Sequence, residues 1–135
     1  MGDQGVIGSS LRLPRRPDAA FAARQAVDAL GADLEEAVLC DVRLLVTELI
    51  ASRVMRPSGT AASWVELDVE LNGGNLLHVE VKDYGQRWVF EPSPFTYEPE
   101  SSSGWGLYLV DRLADRWALE RGESSTRIWF ELDLV

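Results

Sequence analysis

The sequence predicts an α+β fold, a two-layer α/β sandwich in which a mixed, mainly antiparallel sheet is covered on one face by three helices. Segments with helical spacing of apolar residues and segments with period-two alternation follow one another as strand, two helices, two strands, loop, helix and two strands. The turn sequence NGGN, residues 72–75, joins two alternating segments as a hairpin. The length of 135 residues suits one domain with an ordinary hydrophobic core.

The first half of the chain contains one predicted strand and two predicted helices. Residues 1–10 are rich in Gly and Ser and are predicted to form a flexible N-terminus, and residues 11–135 to form the single domain. LRLP, residues 11–14, predicts a short strand. Pro17 suits the first turn of an amphipathic helix that Gly31 ends, and its apolar face is predicted from Phe21, Ala22, Val27 and Leu30. A longer helix from Leu34 to about Arg56 is predicted from one apolar stripe, formed by Val38, Val42, Leu45, Leu49 and Ile50.

The second half supplies the other strands and the third helix. SWVELDVEL and LLHVEVKD alternate apolar and polar residues and predict two antiparallel strands. Periodicity then fails, and three prolines and the triplet SSS indicate a long loop, a lid at about residues 86–103. GWGLYLVDRLADRW predicts a helix entered through Gly-x-Gly, and RWALER and STRIWFELDLV predict two closing strands.

Composition excludes several classes of function. The 22 acidic and 13 basic residues give a net charge of -9, which argues against nucleic-acid binding and suits a basic protein surface or a nucleotide held by backbone amides. No apolar run approaches the ~20 residues of a membrane span, and no signal peptide is recognisable, so we expect a cytoplasmic protein. The one cysteine, Cys40, is expected to be buried, and the one histidine, His78, has no metal-ligating companion nearby in sequence.

Three places carry candidate chemistry. Glu48 and Ser52 have the i, i+4 spacing that brings two side chains to one face of a helix. Asp83 ends a strand and is followed by Gly85, which presents a carboxylate where the backbone turns. SSSGWGLYLV opens a helix with glycines, whose free amides suit a phosphate. Each also has a plainer interpretation, as the solvated edge of a core helix, a turn and a simple helix entry.

The order of these motifs resembles a known family. LRLP, LLVTEL, VEVKDYG, GWGLYLVDRLADRW and TRIWFEL, over nearly the whole chain, resemble the histidine-kinase-like ATPase superfamily. The similarity is closest to its small branch of anti-sigma-factor serine/threonine kinases and their actinobacterial relatives. The resemblance implies a Bergerat-type sandwich with ATP between the long helix, the end of the Asp-bearing strand and the lid.

The resemblance also implies roles for single residues. Asp83 would accept the adenine amino group, Gly85 would let the backbone pass close to the base, and Thr126 would support the adenine end. Glu48 would be the general base that takes a proton from a partner's hydroxyl group during phosphoryl transfer. The residues implied to offer amides to the phosphates are Gly104, Gly106 and Leu107.

Two positions depart from the family pattern. Ser52 stands where the family has its metal-ligating asparagine, and a serine hydroxyl is a poorer and shorter-reaching ligand than an amide carbonyl. Arg87 stands at the second glycine of the family's Asp-x-Gly-x-Gly, where its side chain would cap a nucleotide, pair with a phosphate or fill the pocket. We therefore predict ATP or ADP as the ligand, assign no Mg²⁺ site, and leave kinase activity undecided.

Three functions fit these observations. The first is an anti-sigma-factor-like regulator that binds a sigma factor or a STAS-type antagonist (an anti-anti-sigma factor) and whose state is set by nucleotide. The second is an active serine/threonine kinase that phosphorylates that antagonist. The third is a relative whose altered pocket senses a different small ligand. The resemblance further implies a homodimer through the exposed sheet face, with no direct contact to nucleic acid or membrane.

Overall fold

A computed structural model describes residues 6–14, 16, 18–54, 64–84, 102–122 and 125–134. Its elements are β1 (Val6–Pro14), α1 (Ala19–Asp28), a 3-10 turn (Gly31–Asp33), α2 (Glu36–Val54), β2 (Trp64–Asn72), β3 (Leu76–Tyr84), α3 (Ser102–Leu113), β4 (Arg116–Arg121) and β5 (Ser125–Asp133). This order of strands and helices is the predicted one.

The five strands form one sheet in the order β1-β2-β3-β5-β4, and every neighbouring pair is antiparallel. The predicted α+β sandwich is confirmed, with a sheet that is antiparallel throughout its described part rather than mixed. The hairpin predicted from NGGN joins β2 to β3. Gly73 and Gly74 have φ angles of 63° and 78°, and the Asn75 amide donates to the Asn72 carbonyl at 3.3 Å. Glycine adopts positive φ angles without the steric cost that most side chains impose, so these two residues favour the turn.

The core lies between the sheet and the helices. Along β2, β3 and β5, buried and partly exposed residues alternate strictly, because successive side chains of a strand point to opposite faces. The helices pack on the buried face, and four of the five stripe residues predicted for α2 are 0 % exposed: Val42, Leu45, Leu49 and Ile50. Among the residues that the structure describes, the largest fully buried side chain is Phe130 of β5.

The opposite face of the sheet, which we call the open face, is polar. It carries a connected set of charged side chains from β3, β4 and β5. Glu131 accepts from Arg116 Nε at 2.9 Å, and Glu80 accepts from Arg127 Nη1 at 3.2 Å. His78 lies between these two glutamates, and its ring stacks on Trp129 with 5.6 Å between centroids.

Four local predictions were wrong. Residues 6–10, assigned to a flexible N-terminus, form the first half of β1 and pair with β2. Ser102 and Ser103, assigned to the lid, lie in the first turn of α3, and the rest of the predicted lid is outside the described residues. Cys40 is exposed rather than buried, and Phe21, placed on the apolar face of α1, is 55 % exposed. In α1 the small residues Ala19, Ala23 and Ala26 face the core instead.

Within the described part of the chain, no helix combines the length and the apolar composition needed to cross a bilayer.

Candidate functional site

Two buried polar side chains lie next to each other at one end of the sheet. Asp83, near the end of β3, is 0 % exposed, and Thr126 of β5, its direct cross-strand partner, is 2 % exposed. They are the only buried polar or charged residues in the described part of the chain. Both make polar interactions there. Burying a carboxylate is costly unless hydrogen bonds compensate it, so this pair indicates a specific polar site rather than ordinary core.

The neighbours of Asp83 bear on which ligand groups its carboxylate favours. On its other side it is opposite Val65 of β2, which is 0 % exposed, so the acid has one apolar and one polar cross-strand neighbour. A buried carboxylate is a strong hydrogen-bond acceptor, so it favours a ligand that presents an N–H or O–H donor. The adenine amino group, which the family resemblance implies as its ligand, is such a donor, and this contact stays a prediction.

A close contact between α2 and α3 brings the second part of the site together. A Cβ atom added to Gly106 would lie 3.3 Å from Leu49 Cδ2 and 3.9 Å from the Glu48 carbonyl oxygen. The two helices therefore approach this closely because residue 106 has no side chain. As a result Glu48, which is half-buried, lies in the part of α2 that faces α3.

The start of α3 determines which amides a phosphate would reach. Sequence analysis placed Gly104 and Gly106 at the entry of the helix, whereas the helix begins at Ser102 and contains both. The first four amides of an α-helix have no acceptor within the helix, and these include the amide of Gly104. The amides of Gly106 and Leu107 follow them and are used by the helix itself, and the Leu107 side chain is 2 % exposed in the core. Phosphate contact through these two amides stays a prediction, and it requires the first turn to unwind.

For three predicted site positions the structure does not describe the side chain. Ser52 lies in α2, but its side chain is outside the description, and Gly85 and Arg87 lie outside the described residues. The described residues contain no group of three or more His, Cys, Asp or Glu side chains arranged to hold a metal ion. The roles of Ser52, Gly85 and Arg87 stay predictions.

One residue important to the site was missed by sequence reasoning. Leu49 was assigned only to the apolar stripe of α2, but its Cδ2 atom is what a side chain at position 106 would meet. No local pattern signals this contact, because it depends on how two helices distant in sequence pack together. Glycine at a helix position, which costs stability relative to alanine, is the only hint that a neighbour approaches closely.

Comparison with known families identifies the domain. The model of the family described as the histidine kinase-like ATPase domain matches residues 13–132. The chain belongs to this family. The match covers the three helices, the strands β2, β3 and β4, nearly all of β5 and the pair formed by Asp83 and Thr126, but only the last two residues of β1. As an ATPase domain of this family, the chain has the architecture of a nucleotide-binding domain.

Two solved structures share the fold of this histidine kinase-like ATPase domain. The structure of the RsbU and RsbW domains of Rv1364c from Mycobacterium tuberculosis is 17 % identical, with a TM-score of 0.72, and the match covers 95 % of this chain and 32 % of that one. The histidine kinase domain of the blue-light activated histidine kinase EL346 from Erythrobacter litoralis is 22 % identical, with a TM-score of 0.58, and the match covers 90 % and 61 %. The chain thus spans about a third and three fifths of these two proteins. No curated protein sequence matches it significantly.

Proposed function

We propose that this ATPase-like domain is a regulator of anti-sigma-factor type, which binds ATP or ADP and forms a complex with a sigma factor or with a STAS-type antagonist. The observation that carries the proposal is the buried pair of Asp83 and Thr126 on the helix-covered end of the sheet. The motif order described above and the shared fold with a structure containing an RsbW domain support the choice of branch.

The residues present fit a purine nucleotide. Asp83 would hold the adenine amino group, Thr126 would support the same end, and the free amides at the start of α3 would face the phosphates. When bound, ATP would supply a transferable phosphoryl group. Glu48, near this end of α3, would take the proton of an incoming hydroxyl group if the domain is also a kinase.

The regulatory function does not depend on turnover. Ser52 replaces the family's metal-ligating asparagine, and phosphoryl transfer relies on metal and positioning more than on a base. Binding a partner needs only a complementary surface. The net charge of -9 suits the basic regions of a sigma factor, and a homodimer forms part of the proposal.

The first prediction concerns nucleotide binding. ATP and ADP should each raise the midpoint of thermal unfolding and give a calorimetric binding signal. Asp83→Asn keeps the shape of the side chain but removes its charge, and should weaken binding by about 10-fold to 100-fold, as expected for loss of a charge-assisted hydrogen bond. Asp68→Asn is the matched control, because Asp68 lies on the open face of the same sheet and should bind as the unchanged protein does.

The role of the metal is tested by the same titrations with and without Mg²⁺. Ser52→Asn should increase nucleotide affinity only when Mg²⁺ is present, because the amide carbonyl restores the missing ligand. An increase of affinity by Mg²⁺ in the unchanged protein, together with phosphorylation of a STAS-type antagonist, would establish the kinase alternative. The absence of any shift with ATP or ADP would refute nucleotide control and leave the sensor of another small ligand.

A further inference from the structure

The two edges of the sheet are protected very differently. β4 forms one edge, has six residues and carries charged residues at both ends: Arg116, Glu120 and Arg121. β1 forms the other edge, has nine residues and carries one charge, Arg12. Charged residues on an edge strand oppose pairing with another strand, whereas a long uncharged edge favours it. Of the two edge strands, β1 is therefore the one that favours pairing with another strand.

Within the described residues nothing pairs with the outer side of β1. The strand is hydrogen-bonded only to β2, so one row of its backbone N–H and C=O groups faces outward. Ile7 is 49 % exposed although it points to the helix-covered face, and Leu11 on the same face is only partly buried. An edge strand with unused backbone groups beside uncovered apolar side chains is a surface for strand addition.

The open face is poorly suited to be the dimer surface that the resemblance implied. Its central strands carry Glu66, Asp68, Glu70, Glu80 and Lys82, together with the ion-pair network around His78. A stable homodimer interface is more apolar than the average surface, and burying charges that already have partners loses their solvation. The edge strand β1 carries only one charged residue, Arg12, which is ion-paired with Glu66 at 3.9 Å.

We propose that two copies of this chain pair through β1, antiparallel and centred on Ser9, to give one continuous ten-stranded sheet. In this register Ile7 lies opposite Leu11 of the second copy, and Gly8 opposite Ser10 of the second copy. The single charge of the strand, Arg12, lies opposite Val6 and never opposite another Arg12. In a symmetric dimer the same surface of each copy must match itself, and β1 meets this condition in the register described. We therefore infer that the partner of β1 is a second copy of this chain.

This inference specifies the surface of the homodimer that is part of the proposed function, and its test is independent of nucleotide. Directly opposite residues of an antiparallel pair have Cα atoms about 4.5–5.5 Å apart, which a disulfide can bridge. Ser9→Cys in a Cys40→Ser background should therefore form a disulfide-linked dimer under mild oxidation. Ala118→Cys in the same background is the control on the β4 edge and should cross-link at least about tenfold more slowly.

A second variant tests the apolar part of the interface. Ile7→Glu places an acid opposite Leu11 of the second copy at both symmetric positions and should raise the dimer dissociation constant at least about tenfold in sedimentation experiments. Ile7→Val should leave it nearly unchanged. Because Ile7 is half exposed, both variants should fold, as circular dichroism will check.

Three results would overturn the edge dimer: a monomer at every accessible concentration, a dimer that Ile7→Glu does not weaken, or cross-linking of Ala118→Cys as fast as that of Ser9→Cys. Nucleotide titration of the same variants separates the two proposals. A monomer that binds ATP refutes the homodimer and leaves nucleotide control intact, whereas a β1 dimer without nucleotide binding refutes nucleotide control alone.

Discussion

His78 lies between two carboxylates, an arrangement that suits a charged imidazole. Nδ1 is 2.9 Å from Glu131 Oε2, and Nε2 is 3.1 Å from Glu80 Oε1. A neutral imidazole has one N–H donor, so both contacts are hydrogen bonds only when the ring is protonated. Burial alone lowers the pKa of His78, but the hydrogen bonds to Glu80 and Glu131 outweigh it, and the pKa rises above its ordinary value of 6.5. Glu70 lies opposite His78 in β2 and adds a third acid on the other side.

This geometry predicts a pH dependence of stability. Because the folded-state pKa is raised, the stabilisation by His78 is complete below pH 6.5 and is lost as the pH rises through the folded-state pKa. The free energy of unfolding should therefore decrease from about pH 6 to pH 8. His78→Gln should remove this decrease. Denaturant unfolding across this range gives the measurement, and the chain has no other histidine to confuse it.

The imidazole can also be observed directly. As the only histidine, His78 gives one set of imidazole proton resonances, and their titration should show a midpoint above 6.5. A midpoint at or below the ordinary value, or a His78→Gln protein that keeps the full pH dependence, would contradict the charged bridge. The bridge could not be predicted from sequence, because Glu131 is 53 residues away from His78 and alternation shows only that both point to the same face.

Part of the Asp83 site could be predicted from the sequence. The family resemblance implied that Asp83 and Thr126 serve the same end of a nucleotide, and the register of β3 and β5 makes them direct cross-strand partners. Their burial follows from alternation: Asp83 and Thr126 fall on the same phase as the apolar residues of their strands. Helical periodicity failed for Cys40, since a residue at the margin of a helical stripe is exposed or buried according to what packs beside it.

At the scale of whole elements, strands and the long helix were predictable, and the start of α3 was not. Alternation and the NGGN turn determine β2 and β3 locally. Glycine lowers helix propensity, which favours a helix beginning after Gly104 and Gly106, yet packing against α2 outweighs a cost of about 1 kcal/mol per glycine. The length of β1 was underestimated for the same reason, because pairing with β2 extends a strand through residues of low propensity.

The contact between α2 and α3 predicts a coupled pair of substitutions. Gly106→Val should destabilise the domain by about 1–3 kcal/mol, because its side chain would collide with Leu49 in a packed interface. Leu49→Ala alone should cost about 2–5 kcal/mol through the cavity it leaves. In the double variant the valine would fill part of that cavity, so the loss should be smaller than the sum of the single losses.

Equilibrium unfolding in urea measures this cycle. Gly106→Ala is the intermediate case, in which the gain in helix propensity offsets a contact of 3.3 Å, and its stability should change little. Additive losses in the double variant would show that Leu49 and position 106 do not touch and that α3 packs differently. The cycle thus tests the placement of the glycine-containing helix against Glu48, on which the proposed site depends.

For the whole molecule, the relevant property is charge. A net charge of -9 on 135 residues causes self-repulsion in the folded state, while the ion pairs on the open face act in the opposite direction. Such partly exposed pairs each contribute about 0–1 kcal/mol. Asp68 is an example of an acid that contributes repulsion without a compensating ion pair. It lies directly opposite Glu80 in β3 and has no ion-pair partner among the described residues. We expect repulsion to exceed attraction.

Raising NaCl from 10 to 100 mM shortens the screening length from about 30 to about 10 Å. The midpoint of thermal unfolding should then rise by about 2–4 °C, since screening relieves the repulsion between unpaired acids more than it weakens the pairs. Asp68→Asn removes one such acid and should raise the midpoint at 10 mM NaCl while reducing the further gain from salt. Scanning calorimetry at fixed protein concentration and pH measures both. If salt lowers the midpoint instead, the ion-pair network around His78 outweighs the net charge, and the open face would then stabilise the fold.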